Sequence, residues 1–156
     1  MALDDAVRAS INAGIVYTIA AMNSSADACR FSPARLGVAI TVAASDRNDR
    51  QASFSNYGSC VDLYAPGVAV VSAFNTGDSS WATYYGTSMA APHVAGTAAQ
   101  YLEAHPGASP AEVTSAILPR RRRAASRIPH RTRRTACCIP GYRRPTIGVR
   151  ESVATK

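Results

Sequence analysis

The run Gly86-Thr87-Ser88-Met89-Ala90-Ala91-Pro92-His93-Val94-Ala95-Gly96 leaves this chain few ways to fold. Gly86 permits a bend that other residues resist. Beyond it the small residues Ala90, Ala91, Ala95, Gly96, Ala98 and Ala99 suit a helix packed closely against a sheet. Pro92 is expected in the first turn or so, where its missing N–H costs least. A helix start leaves unpaired N–H groups and roughly half a positive charge. Ser88 therefore carries a hydroxyl to a place where developing negative charge is stabilised. The plainer reading of Thr87-Ser88 is a pair that only caps the helix.

The rest of the chain supplies a sheet for that helix. Leu3, Val7 and Ile11 recur one turn apart and predict a helix over residues 3–13, ended by Gly14. Residues 15–21 form a continuous β-branched run, the mark of a strand buried on both faces of a parallel sheet. Residues 39–43 predict a second such strand. Residues 61–64 and 68–72 predict two more, split by the Ala65-Pro66-Gly67 turn, and 81–85 a short strand before Ser88. A central helix is expected from Thr87 to about Ala104. A closing helix over 109–118 opens with Ser109 as N-cap and Pro110 at its first position. Alternating helices and strands make this an α/β chain with a mainly parallel sheet.

Composition bounds the partners. With 156 residues the chain suits one ordinary domain, and no apolar run is long enough to span a bilayer. The amphipathic start is unlike a basic-then-apolar export signal. The net charge of +7 averages two unlike parts. Residues 1–118 carry five arginines against nine carboxylates, whereas 119–156 carry eleven arginines and one lysine against one glutamate. The composition breaks at Leu118/Pro119, so residues 1–118 are read as the folded portion and 119–156 as an Arg/Pro-rich tail too poor in apolar residues to fold. That tail is open to three readings: an out-of-frame end, a solvated linker, or a basic arm for phosphates. The first is preferred, so nucleic acid is not expected as a partner, and no membrane is.

The segment from about Leu3 to Leu118, and the Ser88 motif above all, resembles the C-terminal part of the subtilisin-like peptidases, in their proteinase K and aqualysin branch. The resemblance implies an incomplete, doubly wound sheet of the subtilisin type, whose absent N-terminal strands leave an open edge prone to pairing. It implies a serine endopeptidase with Ser88 as nucleophile. Ala20-Ala21-Met22-Asn23 is similar to the family's Ala-Ala-Gly-Asn, which implies that Asn23 donates to the oxyanion and that Ala20, Ala21 and Met22 border the substrate. An Asn after a strand is otherwise a turn residue. Met22 stands where the family has glycine, so its side chain, or a backbone that glycine alone tolerates, is expected to narrow the pocket or displace Asn23.

A serine needs an imidazole to remove its proton and a carboxylate to orient that imidazole. In the resembling family these precede the serine in the order Asp, His, Ser. No stretch here resembles either motif. His93 lies about 140° round the helix from Ser88, His105 roughly 25 Å along it, and His130 in the tail. The isolated chain is therefore expected to be inactive, its partners a polypeptide substrate and the missing N-terminal part of the catalytic domain. The other reading is a non-catalytic fragment or a basic-tailed binding protein.

Further expectations come from the same resemblance. Cys29 and Cys60 match a family disulfide, with two buried thiols as the alternative. Their pairing suits secretion and an extracellular compartment for the intact enzyme. No role is assigned to Cys137 and Cys138. Asp62 is expected to bind a structural calcium ion with the carbonyls of Gly37 and Ala39, a mixed oxygen set of the kind Ca²⁺ takes. The plainer alternative is that the Asp62 carboxylate accepts a hydrogen bond from a neighbouring backbone N–H.

Overall fold

The computed structural model describes residues 2–118. Three parallel strands, β1 (Thr18–Ala20), β2 (Ile40–Ser45) and β3 (Leu63–Pro66), form a sheet in the order β1-β2-β3. Thr18 lies opposite Ile40, and Val42 opposite Leu63. Every residue of the middle strand β2 is buried, because both of its faces are covered. Ile40, Val42 and Ala44 meet α2 (Thr87–Ala104) and α3 (Pro110–Ile117) through Ala90, Val94, Ala98, Val113 and Ile117. Ala43, between them, turns to the other face, where α1 (Ala2–Asn12) contributes Val7 and Ile11. Successive residues of one strand thus feed two cores, as the period of two requires. This is an α/β fold with helices on both faces of the parallel sheet, as expected.

The small residues of α2 let it lie across all three strands. A second sheet is an antiparallel hairpin of β4 (Val70–Ala73) and β5 (Trp81–Tyr84) that leads into α2. α3 begins as read, with Pro110 first and the Ser109 hydroxyl and Glu112 carboxylate capping one another's backbone N–H groups.

The structure departs from the sequence reading at several element ends. Leu3 is 54% exposed, while Asp4 beside it is only 6% exposed. The Asp4 carboxylate accepts from the Ser32 hydroxyl and from Arg35 Nε–H at 2.8 Å, and a charge so paired can be buried. These bonds, Ser32 foremost, hold the Asp4 carboxyl below its ordinary value. β1 is shorter than the apolar run 15–21 because pairing with β2 begins only at Thr18, and only Ile19 of the strand is fully buried. Ala65 and Pro66 belong to β3 rather than to a turn, and Asp62 precedes that strand. Pro92 lies in the second turn of α2, where it removes the donor that the Ser88 carbonyl would otherwise meet. The tail, with His130, Cys137 and Cys138, lies outside the described residues.

Candidate active site

Ser88 is the second residue of α2 and is exposed, whereas Thr87 before it is completely buried. The bend that presents it is glycine's: Gly86 has φ +154°, a region that side chains rarely enter. The bend is fixed from the sheet side by Gly86 N–H donating to the Gly67 carbonyl at 2.8 Å. Gly67 must itself lack a side chain, since a Cβ there would lie 2.5 Å from that of Ala44 and 2.8 Å from the Gly86 oxygen.

Asn23 reaches this helix start from the loop after β1. Its Oδ1 accepts both the Thr87 N–H, at 2.9 Å, and the Thr87 hydroxyl, at 3.0 Å. Thr87 Oγ1 in turn accepts Met22 N–H at 3.1 Å. Two donors converging on one end of the amide identify that end as oxygen, so Nδ2 faces away from Thr87. A Cβ built on Gly86 would sit 3.4 Å from Asn23 Nδ2 and 3.7 Å from the Ser88 amide nitrogen. Both nitrogens therefore border one small space beside Gly86. As one of the first N–H groups of a helix, that of Ser88 has no intrahelical acceptor. A pair of N–H donors beside an exposed hydroxyl is the equipment for stabilising a tetrahedral oxyanion.

The model of the Subtilase family (peptidase S8) matches residues 2–132. The chain belongs to the subtilase family. It is 53% identical over 117 residues to an extracellular serine proteinase of Thermus sp. strain Rt41A, covering 75% of this chain and 28% of that protein. It is 47% identical over 120 residues to alkaline serine exoprotease A of Vibrio alginolyticus, covering 77% of this chain and 22% of the relative. Among solved structures it is similar to a cold-adapted subtilisin-like serine proteinase, with a TM-score of 0.70 and 47% identity over 73% of this chain and 41% of the other. The subtilase segment thus spans about a quarter of the length of the curated relatives it matches. The family match runs past the composition break at Leu118.

The other residues singled out in this subtilase fall into place unevenly. Ala21 is completely buried, its side chain in the core on the α1 face and its N–H on the Val42 carbonyl, so Ala20 and Met22 are the half-buried members of the substrate-side trio. Met22 has φ +78°, the left-handed backbone that suits the glycine of the family pattern. Asn23 is nevertheless joined to Thr87. His93 Nδ1 donates to the Met89 carbonyl and His105 Nδ1 to that of Tyr101, each turned back onto its own helix. Cys29 and Cys60 form a disulfide with Cα atoms 5.3 Å apart. Asp62 Oδ2 accepts Thr41 N–H at 2.8 Å, and no three His, Cys, Asp or Glu side chains form a metal-holding group among the described residues. Asn56, which the sequence did not single out, proves to be wrapped by the Asn23 loop. Its only signal was a polar residue in a Ser-rich stretch.

Proposed function

We propose that this segment supplies the nucleophile and the oxyanion cradle of a secreted, subtilisin-like serine endopeptidase. The observation that carries the reading is the meeting of Asn23 Nδ2 and the Ser88 amide beside Gly86. Ser88 Oγ attacks the carbonyl carbon of a peptide bond, and the two N–H groups take the charge that develops on the carbonyl oxygen. The amine then leaves with a proton, and water releases the acyl group from Ser88. The Ser88 proton passes to an imidazole oriented by a carboxylate. Neither is supplied by the histidines described, so the isolated chain is inert and regains activity only with a segment that carries both.

Export is supported by the disulfide and by the extracellular relative. A structural calcium ion on Asp62 and the carbonyls of Gly37 and Ala39 is part of the same proposal. The Asp62 carboxylate reaches Thr41 N–H and so stands next to the segment bearing those carbonyls, and an all-oxygen set fits Ca²⁺. Bound there, the ion would join the start of β3 to the turn before β2. A rise in melting temperature with calcium over chelator supports it.

Labelling with a fluorophosphonate tests the catalytic reading. The isolated chain should take up no stoichiometric label. Joined to the Asp- and His-bearing part of the Thermus proteinase, it should label at Ser88 and cleave peptides. Ser88→Ala should then lower turnover by the order of 10⁶, the magnitude known for subtilisin itself. Full labelling of the isolated chain would overturn the missing base, and cleavage undiminished by Ser88→Ala would overturn the site.

A further inference from the structure

We infer that Asn56 is a positioning residue for Asn23, an inference that rests on the oxyanion role proposed above. Asn23, Ser24 and Ser25 are exposed and take no support from burial. Their turn also contains two residues in the left-handed region, Met22 at φ +78° and Ser25 at φ +49°. Such backbone persists only where the surroundings over-determine it. Here the surroundings are the Thr87 hydroxyl on Met22 N–H, the Phe54 and Ser53 carbonyls on Ser25, and one side chain that reaches both flanks of Asn23. Asn56 is completely buried, and its Oδ1 accepts Ser24 N–H at 2.9 Å and Ala26 N–H at 3.1 Å. Its own N–H donates to the Met22 carbonyl at 2.9 Å. The residues on either side of Asn23 are thus both tied to Asn56.

Asn56 is in turn fixed to the sheet. The buried Ser55 hydroxyl donates to the Asn56 carbonyl and accepts Ala44 N–H of β2, each at 3.0 Å. A continuous route of hydrogen bonds therefore runs from the middle strand through Ser55 and Asn56 to the turn that aims Asn23. The amide is used asymmetrically, because Nδ2 has no hydrogen-bond partner among the described residues. What the position requires is an oxygen that accepts from two N–H groups. Aspartate supplies that oxygen; alanine and leucine do not.

The test uses the chimera with the Thermus proteinase, with turnover expressed per site titrated to completion by fluorophosphonate, so that unfolded protein does not count. Asn56→Ala and Asn56→Leu should lower kcat about 10- to 100-fold with KM within about twofold, since misplacement by about an ångström costs up to about a hundredfold. Asn56→Asp should stay within about threefold of the parent. In an Asn23→Ala background, Asn56→Ala should lower kcat by no more than about twofold further, because the group it positions is gone. An undiminished kcat in Asn56→Ala, or an equal loss with and without Asn23, overturns the positioning role while leaving the oxyanion reading intact. An undiminished kcat in Asn23→Ala overturns both. Where a variant chimera does not fold, amide exchange on the 156-residue chain decides. Asn56→Ala should expose the Ser24 and Ala26 amides while sparing that of Thr41, and retained protection at both overturns the inference.

Discussion

The connection between β1 and β2, residues 21–39, and the β4–β5 hairpin are both excursions from the same sheet, and they are held in opposite ways. The connection has little regular structure beyond a 3₁₀ turn at Ala28–Arg30. It is tied at many separated points, among which Asn56 holds Met22, Ser24 and Ala26, Thr87 holds Asn23, Cys60 holds Cys29, and Asp4 holds Ser32 and Arg35. The hairpin has a regular ladder but few ties beyond it, and Trp81 on it is 76% exposed. Its Phe74 and Tyr84 rings meet only at 6.0 Å. Local regularity and long-range restraint are therefore separate properties. Restraint is concentrated on the connection that carries Asn23.

The largest expected effect on this contrast comes from Cys29→Ser with Cys60→Ser. Releasing a loop of 31 residues should cost about 3–4 kcal/mol in denaturant unfolding of the oxidised chain. Next comes Asp4→Asn. Because the folded-state carboxyl lies below its ordinary value of 3.8, its contribution is present above that pH and is lost as pH falls through the lowered value. The stability gap between parent and Asp4→Asn should be flat near neutrality and close below about pH 4. Met22→Gly relieves a left-handed residue but frees the unfolded chain, so a gain of no more than about 1 kcal/mol is expected by thermal melting. Trp81→Ser should change stability by less than about 0.5 kcal/mol. A Trp81→Ser effect as large as that of the cysteine pair would break the comparison.

These contrasts also mark what the sequence could convey. The start of α3 was legible from Ser109-Pro110, and the bend before α2 from Gly86, because caps and turns are written in adjacent residues. The two faces of β2 followed from a buried apolar run. Leu3 misled, since helical period alone ranked it with Val7 and Ile11. Its neighbour Asp4 is buried instead by partners 28 and 31 residues away. Strand ends at β1 and β3 depended on where pairing with β2 begins and stops. Ser88 and Asn23 could be nominated from motif, and the structure brings them to one place through Thr87. Asn56 could not, because its role is defined by contacts some thirty residues distant and has no local pattern.

The Gly67–Gly86 contact has one more consequence. It clamps the end of β3 directly to the start of α2, main chain to main chain, with no side chain between them to absorb a displacement. Hairpin residues 70–84 leave and return at this pinch, so the two ends of that excursion are held together whatever lies between them. A loop grafted between these two glycines would begin and end on one fixed main-chain contact.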